Sequence, residues 1–249
     1  NYDVDVTTLT YTGEYTLLIE GRSNSADPSS YAVNVQRVTD ETREFEFGAG
    51  WRDLASGRFD TGLALDGQQY GEIAHAASID LPRVVTLETW INVDRFSDTW
   101  TPLFFKGTTN SAQRSYSIWL NSDGSVHFAA AGQGFSTAAG VINTNRWQHI
   151  ATVMDRDAGQ LRIYVDGVER LAVSIATGAG VSVSTPLYLG RSTEGYVNFE
   201  GTMDEVRVWN VARTAAQIAA TKDIELTGTE SGLVVYLKDF PESTYHVVD

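Results

Sequence analysis

Two acidic residues near position 45 have a spacing that could support glycoside hydrolysis. Glu44 and Glu46 lie two positions apart in the run REFEFG, so a β-strand would place both carboxyl groups on one face. Retaining hydrolysis requires two carboxyl groups about 5 Å apart. No third acid lies in register with the pair, so we interpret it as a solvated strand edge and predict no enzymatic activity.

The four histidines do not form a recognisable metal or nucleophile motif. His75, His127, His149 and His246 are scattered, with neither a His-x-x-x-His pair nor a readable Ser, His, Asp grouping. In the run WQHIAT, strand alternation places His149 on the same face as Trp147, which predicts a hydrogen-bonded core histidine. The chain has no cysteine, which excludes disulfides, thiolate metal sites and cysteine nucleophiles.

Two tryptophans lie where a flat ring could stack against a sugar. In the run YSIWLN the apolar residues alternate, which places Trp119 on the opposite, outer face of its strand. Trp100 lies in the polar stretch 95–102, which we interpret as a loop. There it either offers its ring to a sugar or anchors the loop, and the sequence leaves both interpretations open. The tryptophans within strand-like runs are interpreted as packed sheet residues: Trp90, Trp147 and Trp209.

The elements that would position these residues are short strands. From Phe45 onward, apolar runs are interrupted by Asp66-Gly67, Asp123-Gly124 and Asp166-Gly167, dipeptides that accept the positive φ of tight turns. This spacing predicts an all-β sandwich. One short peripheral helix is predicted after Thr214, where the run TAAQ has the form of a capping box.

The first part of the chain has a different pattern. Residues 1–39 hold two alternating runs, at 15–19 and 31–35, separated by a polar turn, which predicts a β-hairpin. This segment resembles the last two strands of the bacterial pre-peptidase C-terminal domain. The charged stretch 39–46 has no periodicity and suits a linker. We therefore predict two units, 1–44 and 45–249.

The net charge of −14 excludes some partners. Carboxylates in such excess repel a phosphate backbone and an anionic lipid surface, so neither nucleic acid nor membrane is an expected partner. No apolar run is long enough to span a bilayer. The first ten residues also lack a signal-peptide pattern, so we interpret the chain as the interior of a longer polypeptide with neighbouring domains.

Six runs occur in the order seen in laminin-G-like and pentraxin-related jelly rolls: GLALDGQQYGEI, VVTLETWINV, YSIWLNSDGSVHF, RWQHIATVMDRDAGQLRIYVDGVER, PLYLGR and GTMDEVRVWNVARTAAQI. The resemblance extends from about Phe59 to Ala220 and implies a concanavalin A-like two-sheet jelly-roll sandwich. The tail GLVVYLKDF resembles a strand that closes such domains, although Leu237 stands where an aromatic residue is usual. Laminarinase-type enzymes on this fold carry a Glu-x-Asp-x-Glu motif that is absent from this chain.

The resemblance also implies a structural calcium ion. In related jelly rolls the aspartate at the position of Asp204 binds calcium together with carbonyl groups, and Asp66 is a second candidate ligand. Calcium takes six to eight oxygen ligands, so carbonyls and water would complete the site. Each aspartate also has a structural alternative. Asp66 would be a hairpin turn residue, and Asp204 would form an ion pair with a neighbouring arginine.

Two functions of different kinds follow from this fold. The first is an extracellular, secreted or cell-surface module that binds a glycan or mediates adhesion with the help of calcium; the second is a protein-binding or purely architectural module. A third alternative is an accessory domain of a secreted glycoside hydrolase. For the glycan site, the stacking candidates are Trp100, Trp119, Phe135 and Tyr196, and the hydrogen-bonding candidates are Asn110, Gln113, Arg114 and Arg191.

Overall fold

The computed structural model describes residues 57–59, 61–97 and 100–238, together with the backbone of strands 45–48 and 54–56. The predicted hairpin and linker of residues 1–44 lie outside the described residues. Within the described part, the chain forms fifteen strands, which in chain order are β1 (Phe45–Gly48), β2 (Leu54–Ser56), β3 (Thr61–Asp66), β4 (Tyr70–Ile73), β5 (Val84–Val93), β6 (Thr101–Gly107), β7 (Arg114–Leu120), β8 (Val126–Ala130), β9 (Gln133–Ser136), β10 (Trp147–Asp155), β11 (Gln160–Val165), β12 (Val168–Ser174), β13 (Leu187–Leu189), β14 (Glu200–Trp209) and β15 (Leu233–Leu237).

These strands form two antiparallel sheets. The seven-stranded sheet has the order β1-β4-β13-β6-β7-β8-β9, and the eight-stranded sheet has the order β12-β11-β10-β5-β14-β3-β2, with β15 also paired to β14. The apolar core lies between them, because residues from both sheets form one buried cluster. The predicted all-β two-sheet sandwich is therefore confirmed.

Strand alternation determines which residues enter this core. In β11, Leu161, Ile163 and Val165 are fully buried in the core, whereas Arg162 and Tyr164 lie on the other face, as their spacing predicts. After β11, Asp166 and Gly167 have φ values of 54° and 79°. Positive φ at both positions is typical of a tight hairpin turn, which confirms the turn predicted at this dipeptide.

Strand β14 organises one side of the eight-stranded sheet. One edge of β14 pairs with β5, and its other partners are β3 along its first half and β15 along its second half. Its pairing with β5 shifts register between Asp204 and Arg207, where Glu205 has a φ of 53°. The tail therefore adds a strand to the sheet, as predicted for the run GLVVYL.

The single α-helix of the described residues, α1 (Ala215–Thr221), covers part of the outer face of this sheet. Thr214 and Gln217 form the predicted capping box: the Gln217 backbone N–H donates to Thr214 Oγ1 and the Thr214 backbone N–H donates to Gln217 Oε1. Ile218 packs on Ala151, Val153 and Tyr164. No helix in the described residues has the length and apolar character needed to cross a membrane.

Candidate functional site

The outer face of the seven-stranded sheet carries several aromatic and cationic side chains that contact one another. We call it the aromatic face, and its members come from β4, β7, β8, β13, the residue before β6 and the loop that follows β13: Tyr70, Trp100, Arg114, Trp119, His127, Tyr188, Arg191 and Tyr196. Trp119 pairs directly with His127 on the neighbouring strand. The residues beside Trp119, Ile118 and Leu120, point into the core, which confirms the predicted orientation of this strand.

Trp119 faces outward, but its ring is not accessible. Only 1% of the residue is exposed, because the rings of Phe105 and Tyr196 pack against it with centroids 5.6 and 5.3 Å away. Its Nε1 donates a hydrogen bond of 2.8 Å to Ser117 Oγ. The prediction that Trp119 stacks on a sugar is therefore wrong: alternation gives the face of a residue but not what covers it. Tyr196, 36% exposed, presents the accessible ring instead.

An ion pair holds Tyr196 in this position. Arg114 Nε donates to Glu194 Oε1 at 2.7 Å, and a second guanidinium nitrogen contacts the other carboxylate oxygen. The two side chains are only 14% and 7% exposed. The Arg114 guanidinium also lies 5.1 Å from the centre of the Trp119 ring. Arg114 therefore fixes the loop after β13 to the sheet, and it is not a free hydrogen-bond donor for a ligand.

Arg191 forms a second cation–aromatic group on the same face. Its guanidinium carbon lies 4.2 Å from the centre of the Tyr70 ring and 5.7 Å from that of Tyr188. The two tyrosine rings meet edge to face, 6.0 Å apart. Burial raises the pKa of the Tyr188 hydroxyl, and the charge of Glu72 acts in the same direction. The Tyr188 hydroxyl is therefore neutral at physiological pH and lies beside the Arg191 guanidinium.

Trp100 lies against His127, with ring centroids 4.6 Å apart. Burial lowers the pKa of His127 to about 4, and the positive charge of Arg114 adds to this effect, so the ring is neutral at physiological pH. His127 Nδ1 forms a 2.8 Å hydrogen bond with Ser136 Oγ. A Cβ atom on Gly134 would lie 2.6 Å from the imidazole, so a larger residue at this position would displace the His127 ring. The half-buried Trp100 therefore anchors its segment on His127 while keeping part of its ring exposed.

The other candidate residues are used differently. Asn110 Oδ1 accepts from the Ala112 backbone N–H, and Gln113 Oε1 accepts from Thr108 Oγ1, so both carbonyl oxygens shape the exposed loop between β6 and β7. Phe135 pairs with Phe128, which is in the core, and packs against that core. The prediction that Phe135 stacks on a sugar is therefore wrong, because its side chain points inward.

The two predicted calcium ligands do not come together. Asp66 pairs with Glu200, four residues before Asp204 on the same strand, which separates the two aspartates by about 13 Å at 3.3 Å per residue. Asp66 is exposed, and its Oδ1 accepts from the Gln68 backbone N–H, as its turn alternative predicts. The described residues hold no group of three or more His, Cys, Asp or Glu side chains that could hold a metal ion. The pair therefore does not fit a shared calcium site.

Asp204 instead binds backbone N–H groups. Its Oδ2 accepts from Arg58 at 2.7 Å and from Phe59 at 3.0 Å, and its Oδ1 accepts from Glu205 at 2.7 Å. Only 1% of Asp204 is exposed. The carboxylate therefore fastens the segment between β2 and β3 to β14. The next residue, Glu205, forms an ion pair with Arg207.

The comparisons with known proteins agree with this architecture. The family model of the concanavalin A-like lectin/glucanases superfamily matches residues 65–219, more than half of the chain. The chain belongs to this superfamily. The predicted resemblance to a laminin-G-like jelly roll is thereby confirmed, whereas the predicted pre-peptidase segment lies outside the described residues. No curated protein sequence matches this superfamily member.

Solved structures with the same fold include carbohydrate-binding proteins. One is a Bacteroides ovatus protein whose carbohydrate binding is a provisional assignment. Its TM-score with this chain is 0.56 and its sequence identity is 24%. The match covers 79% of this chain and 51% of that protein. Domain 4 of AbnA, a GH43 extracellular arabinanase from Geobacillus stearothermophilus in complex with arabinotriose, has a TM-score of 0.56 and 20% identity over 74% of this chain and 90% of its own. The present chain thus spans about half the length of the Bacteroides ovatus protein.

Botulinum neurotoxin type C provides a further comparison. Cell entry of this toxin is described as dependent on interaction with two ganglioside molecules, and its structure has a TM-score of 0.55 and 14% identity over 72% of this chain and 45% of its own. At these identities the likeness shows the shared fold. The lectin-type sandwich can therefore be assigned to this superfamily member, whereas its ligand must be inferred from its own residues.

Tyr70, His127 and Tyr188 belong to the aromatic face but were not among the predicted site residues. Tyr70 and Tyr188 come from β4 and β13, which are paired in the sheet although more than a hundred residues separate them in the chain. In the run YGEI, Tyr70 and Ile73 lie on opposite faces of a strand, so the sequence could have predicted an outward-facing Tyr70. It did not indicate which strand would lie beside it.

Proposed function

We propose that the chain is a non-catalytic glycan-binding module that uses the aromatic face. The observation that carries this proposal is the fixed, partly exposed ring of Tyr196, which rests on Trp119 in the same loop that places Arg191 over Tyr70 and Tyr188. Ordered loops on a rigid sheet are the usual location of recognition residues. The outer face of the opposite sheet is partly covered by α1.

The chemistry of the face suits a saccharide. The apolar C–H side of a sugar ring packs against an aromatic ring, and sugar hydroxyls accept or donate hydrogen bonds at its edge. Tyr196 provides such a ring, and Trp100 provides a second, smaller surface beside His127. Arg191 and the hydroxyl groups of Tyr70 and Tyr188 provide polar groups nearby. A shallow face of this kind fits a chain of sugars that lies across it.

The comparisons support this function and its setting. The Bacteroides ovatus structure is described as carbohydrate-binding, and the AbnA domain was solved with arabinotriose. AbnA is an extracellular enzyme, so its domain 4 is a module within a larger secreted polypeptide. We propose the same setting for this chain, which is a secreted or cell-surface location and neighbouring domains in the same polypeptide. A glycoside hydrolase that carries this chain as an accessory domain is one such arrangement.

Tyr196→Ala is expected to weaken binding of the recognised glycan about tenfold or more, because it removes the accessible ring and exposes Trp119 to water. A tenfold loss corresponds to about 1.4 kcal/mol, a moderate effect for an interface aromatic residue. A glycan array identifies the ligand, and calorimetric titration measures the affinities. Arg191→Ala should also weaken binding, since Arg191 is a partly exposed cation of the face.

Val197→Ala is the matched control for Tyr196→Ala. Val197 follows Tyr196 in the same loop and is 49% exposed, so its truncation tests whether any change in this loop affects binding. Equal affinities of Tyr196→Ala and Val197→Ala would show that the glycan binds elsewhere. An array without any positive glycan would favour the alternative of a protein-binding or architectural module.

Calcium dependence stays a prediction of the sequence resemblance. The described side chains provide no shared site for Asp66 and Asp204, so any ion would take its oxygens from other groups, carbonyls and water. The glycan array is therefore run with millimolar calcium and with a chelator. Equal binding in both conditions would separate the glycan site from calcium.

A further inference from the structure

A concave surface lies on the outer face of the eight-stranded sheet, close to the end of α1. It is an open cleft with a volume of about 560 Å³, which falls in the range of roughly 300–1,000 Å³ found for small-molecule sites. We call it the tryptophan cleft, and its lining residues are Arg58, Trp90, Arg146, Trp147, Asp166 and Lys222. None of them belongs to the aromatic face.

Two tryptophans from neighbouring strands form the apolar part of this cleft. Trp90 is 5% exposed, and its Nε1 donates a 2.7 Å hydrogen bond to the Lys222 carbonyl oxygen, so its ring is fixed. Trp147, at the start of β10, is half-buried and keeps part of its ring accessible. The Arg58 guanidinium carbon lies 4.6 Å from the centre of the Trp90 ring, and Lys222 Nζ lies 5.6 Å from it. Aromatic surface and cations are thus combined in one place.

The cleft is cationic in a protein with a net charge of −14. Three of its lining residues carry a positive charge, against one carboxylate, Asp166. Both oxygens of Asp166 already accept hydrogen bonds, from the His149 backbone N–H at 2.9 Å and from Gln148 Nε2 at 3.4 Å. Asp223, beside the cleft, pairs with Lys222 and Arg58. The cleft and its border therefore hold three cations and two carboxylates, an excess of one positive charge. Exposed charges are screened beyond about 8 Å at physiological ionic strength, so this excess acts on a bound ligand more than the distant negative charges do.

Arg146 is the cation best placed to meet an incoming group. Its side chain is 58% exposed, and its guanidinium is 3.7 Å from Asp166, longer than a hydrogen bond. A guanidinium matches the geometry of a carboxylate and can bind it through two parallel hydrogen bonds. The neighbouring residue Trp147 supplies a ring at the same rim. Adjacent aromatic and guanidinium groups fit a ring that carries a carboxylate.

We propose that the tryptophan cleft is a second saccharide site, specific for a sugar unit that carries a carboxylate, as in a hexuronic acid. The sugar ring packs on Trp147, the carboxylate binds Arg146, and Arg58 and Lys222 add positive charge. This inference rests on the proposed function only in taking the ligand to be a saccharide. It assigns a different sheet, different residues and a charged ligand.

The test uses calorimetric titration with trigalacturonate and triglucuronate as acidic probes, the neutral galactose trisaccharide, and acetate as a carboxylate without a sugar. At least one acidic trisaccharide is expected to bind, more weakly as salt rises. Arg146→Ala should weaken this binding about tenfold or more, since it removes a charge-assisted hydrogen bond. Trp147→Ala should weaken it as well.

Arg83→Ala is the matched control for Arg146→Ala. The Arg83 side chain is 55% exposed and pairs with Asp157, so it resembles Arg146 in exposure and in having an aspartate partner. Arg83 lies directly before the first residue of β5, whereas Trp90 of the cleft lies near the last residue of that strand. Equal affinities in the two variants would overturn the proposal. So would equally tight binding of the neutral trisaccharide or of acetate, or no binding of either acidic probe.

Tyr196→Ala separates this proposal from the function proposed for the aromatic face. If it abolishes binding of the acidic probes while Arg146→Ala does not, the tryptophan cleft is rejected and the aromatic face is retained. If the array glycan binds normally to Tyr196→Ala and Arg191→Ala while Arg146→Ala loses the acidic probes, the aromatic face is rejected and the cleft is retained.

Discussion

Asp204→Ala is expected to lower the free energy of unfolding by about 3–5 kcal/mol. The substitution leaves three backbone N–H groups, those of Arg58, Phe59 and Glu205, without their acceptor. An unsatisfied buried donor costs roughly 1–3 kcal/mol, and the partial exposure of residues 57–59 keeps the total at the lower end. For a domain of this size, the melting temperature should fall by on the order of 10 °C.

Asp66→Ala is the control, because Asp66 is the other predicted calcium ligand and is exposed. It accepts one local hydrogen bond, from the Gln68 backbone N–H, so its removal should cost less than about 1 kcal/mol. Both variants are melted with millimolar calcium and with a chelator. If Asp204 acts through backbone hydrogen bonds, its loss has the same effect in both conditions. A calcium-induced rise in melting temperature that Asp204→Ala removes would instead assign Asp204 to the ion.

Glu88→Ala is expected to destabilise the protein by a similar amount, about 3–5 kcal/mol, because it leaves a buried guanidinium without its counter-charge. Glu88 is fully buried, and its Oε1 accepts from Arg213 Nη1 at 2.6 Å. Its Oε2 lies 3.4 Å from His149 Nε2, and the predicted burial of His149 is confirmed, since only 1% of the residue is exposed. Arg213 also donates to the Gln217 carbonyl oxygen, so this network connects the sheet to α1.

Glu169→Ala is the control for Glu88→Ala. Glu169, like Glu88, pairs with an arginine. Its partner is Arg162 of β11, and both side chains are about 40% exposed. An exposed ion pair contributes little, so the change should stay within about 1 kcal/mol. Urea unfolding measures both variants. Similar losses would show that burial does not determine the contribution of these pairs.

The contribution of Glu88 should also depend on pH. Burial by itself raises the pKa of Glu88, but the hydrogen bond and charge of His149 and the charges of Arg213 and Arg207 outweigh it, so the pKa lies below its usual 4.5. A carboxyl group with a lowered folded-state pKa stabilises the protein above its unfolded-state pKa, and this stability is lost as pH falls through the folded-state pKa.

The difference in unfolding free energy between wild type and Glu88→Gln should therefore shrink as pH falls below about 4.5. Taking the difference cancels titrating groups that do not interact with Glu88, such as Glu205, whose pKa burial raises despite the opposing charge of Arg207. Urea unfolding at several pH values between about 3 and 7 gives the profile. A difference that grows as pH falls below about 4.5 would contradict the lowered pKa.

The sequence determined the features that depend on neighbouring residues in the chain. Alternation assigned the faces of β7 and β11, because successive side chains of a strand point to opposite sides. The Asp166-Gly167 turn and the capping box at Thr214 were predictable for the same reason: both depend on backbone conformations and hydrogen bonds within four residues. The superfamily followed from six such local patterns in order.

The tertiary structure alone decided which of these residues are accessible and what they contact. Trp119 faces outward as predicted, but a loop some 75 residues later covers it with Tyr196. Asp204 binds backbone groups of Arg58 and Phe59, 146 and 145 positions away, and so cannot be recognised as an anchor from its own strand. Trp147 lines the tryptophan cleft because β10 lies beside β5 and the end of α1 lies above both. Contacts over such separations depend on how the sheets and loops pack, which no local pattern specifies.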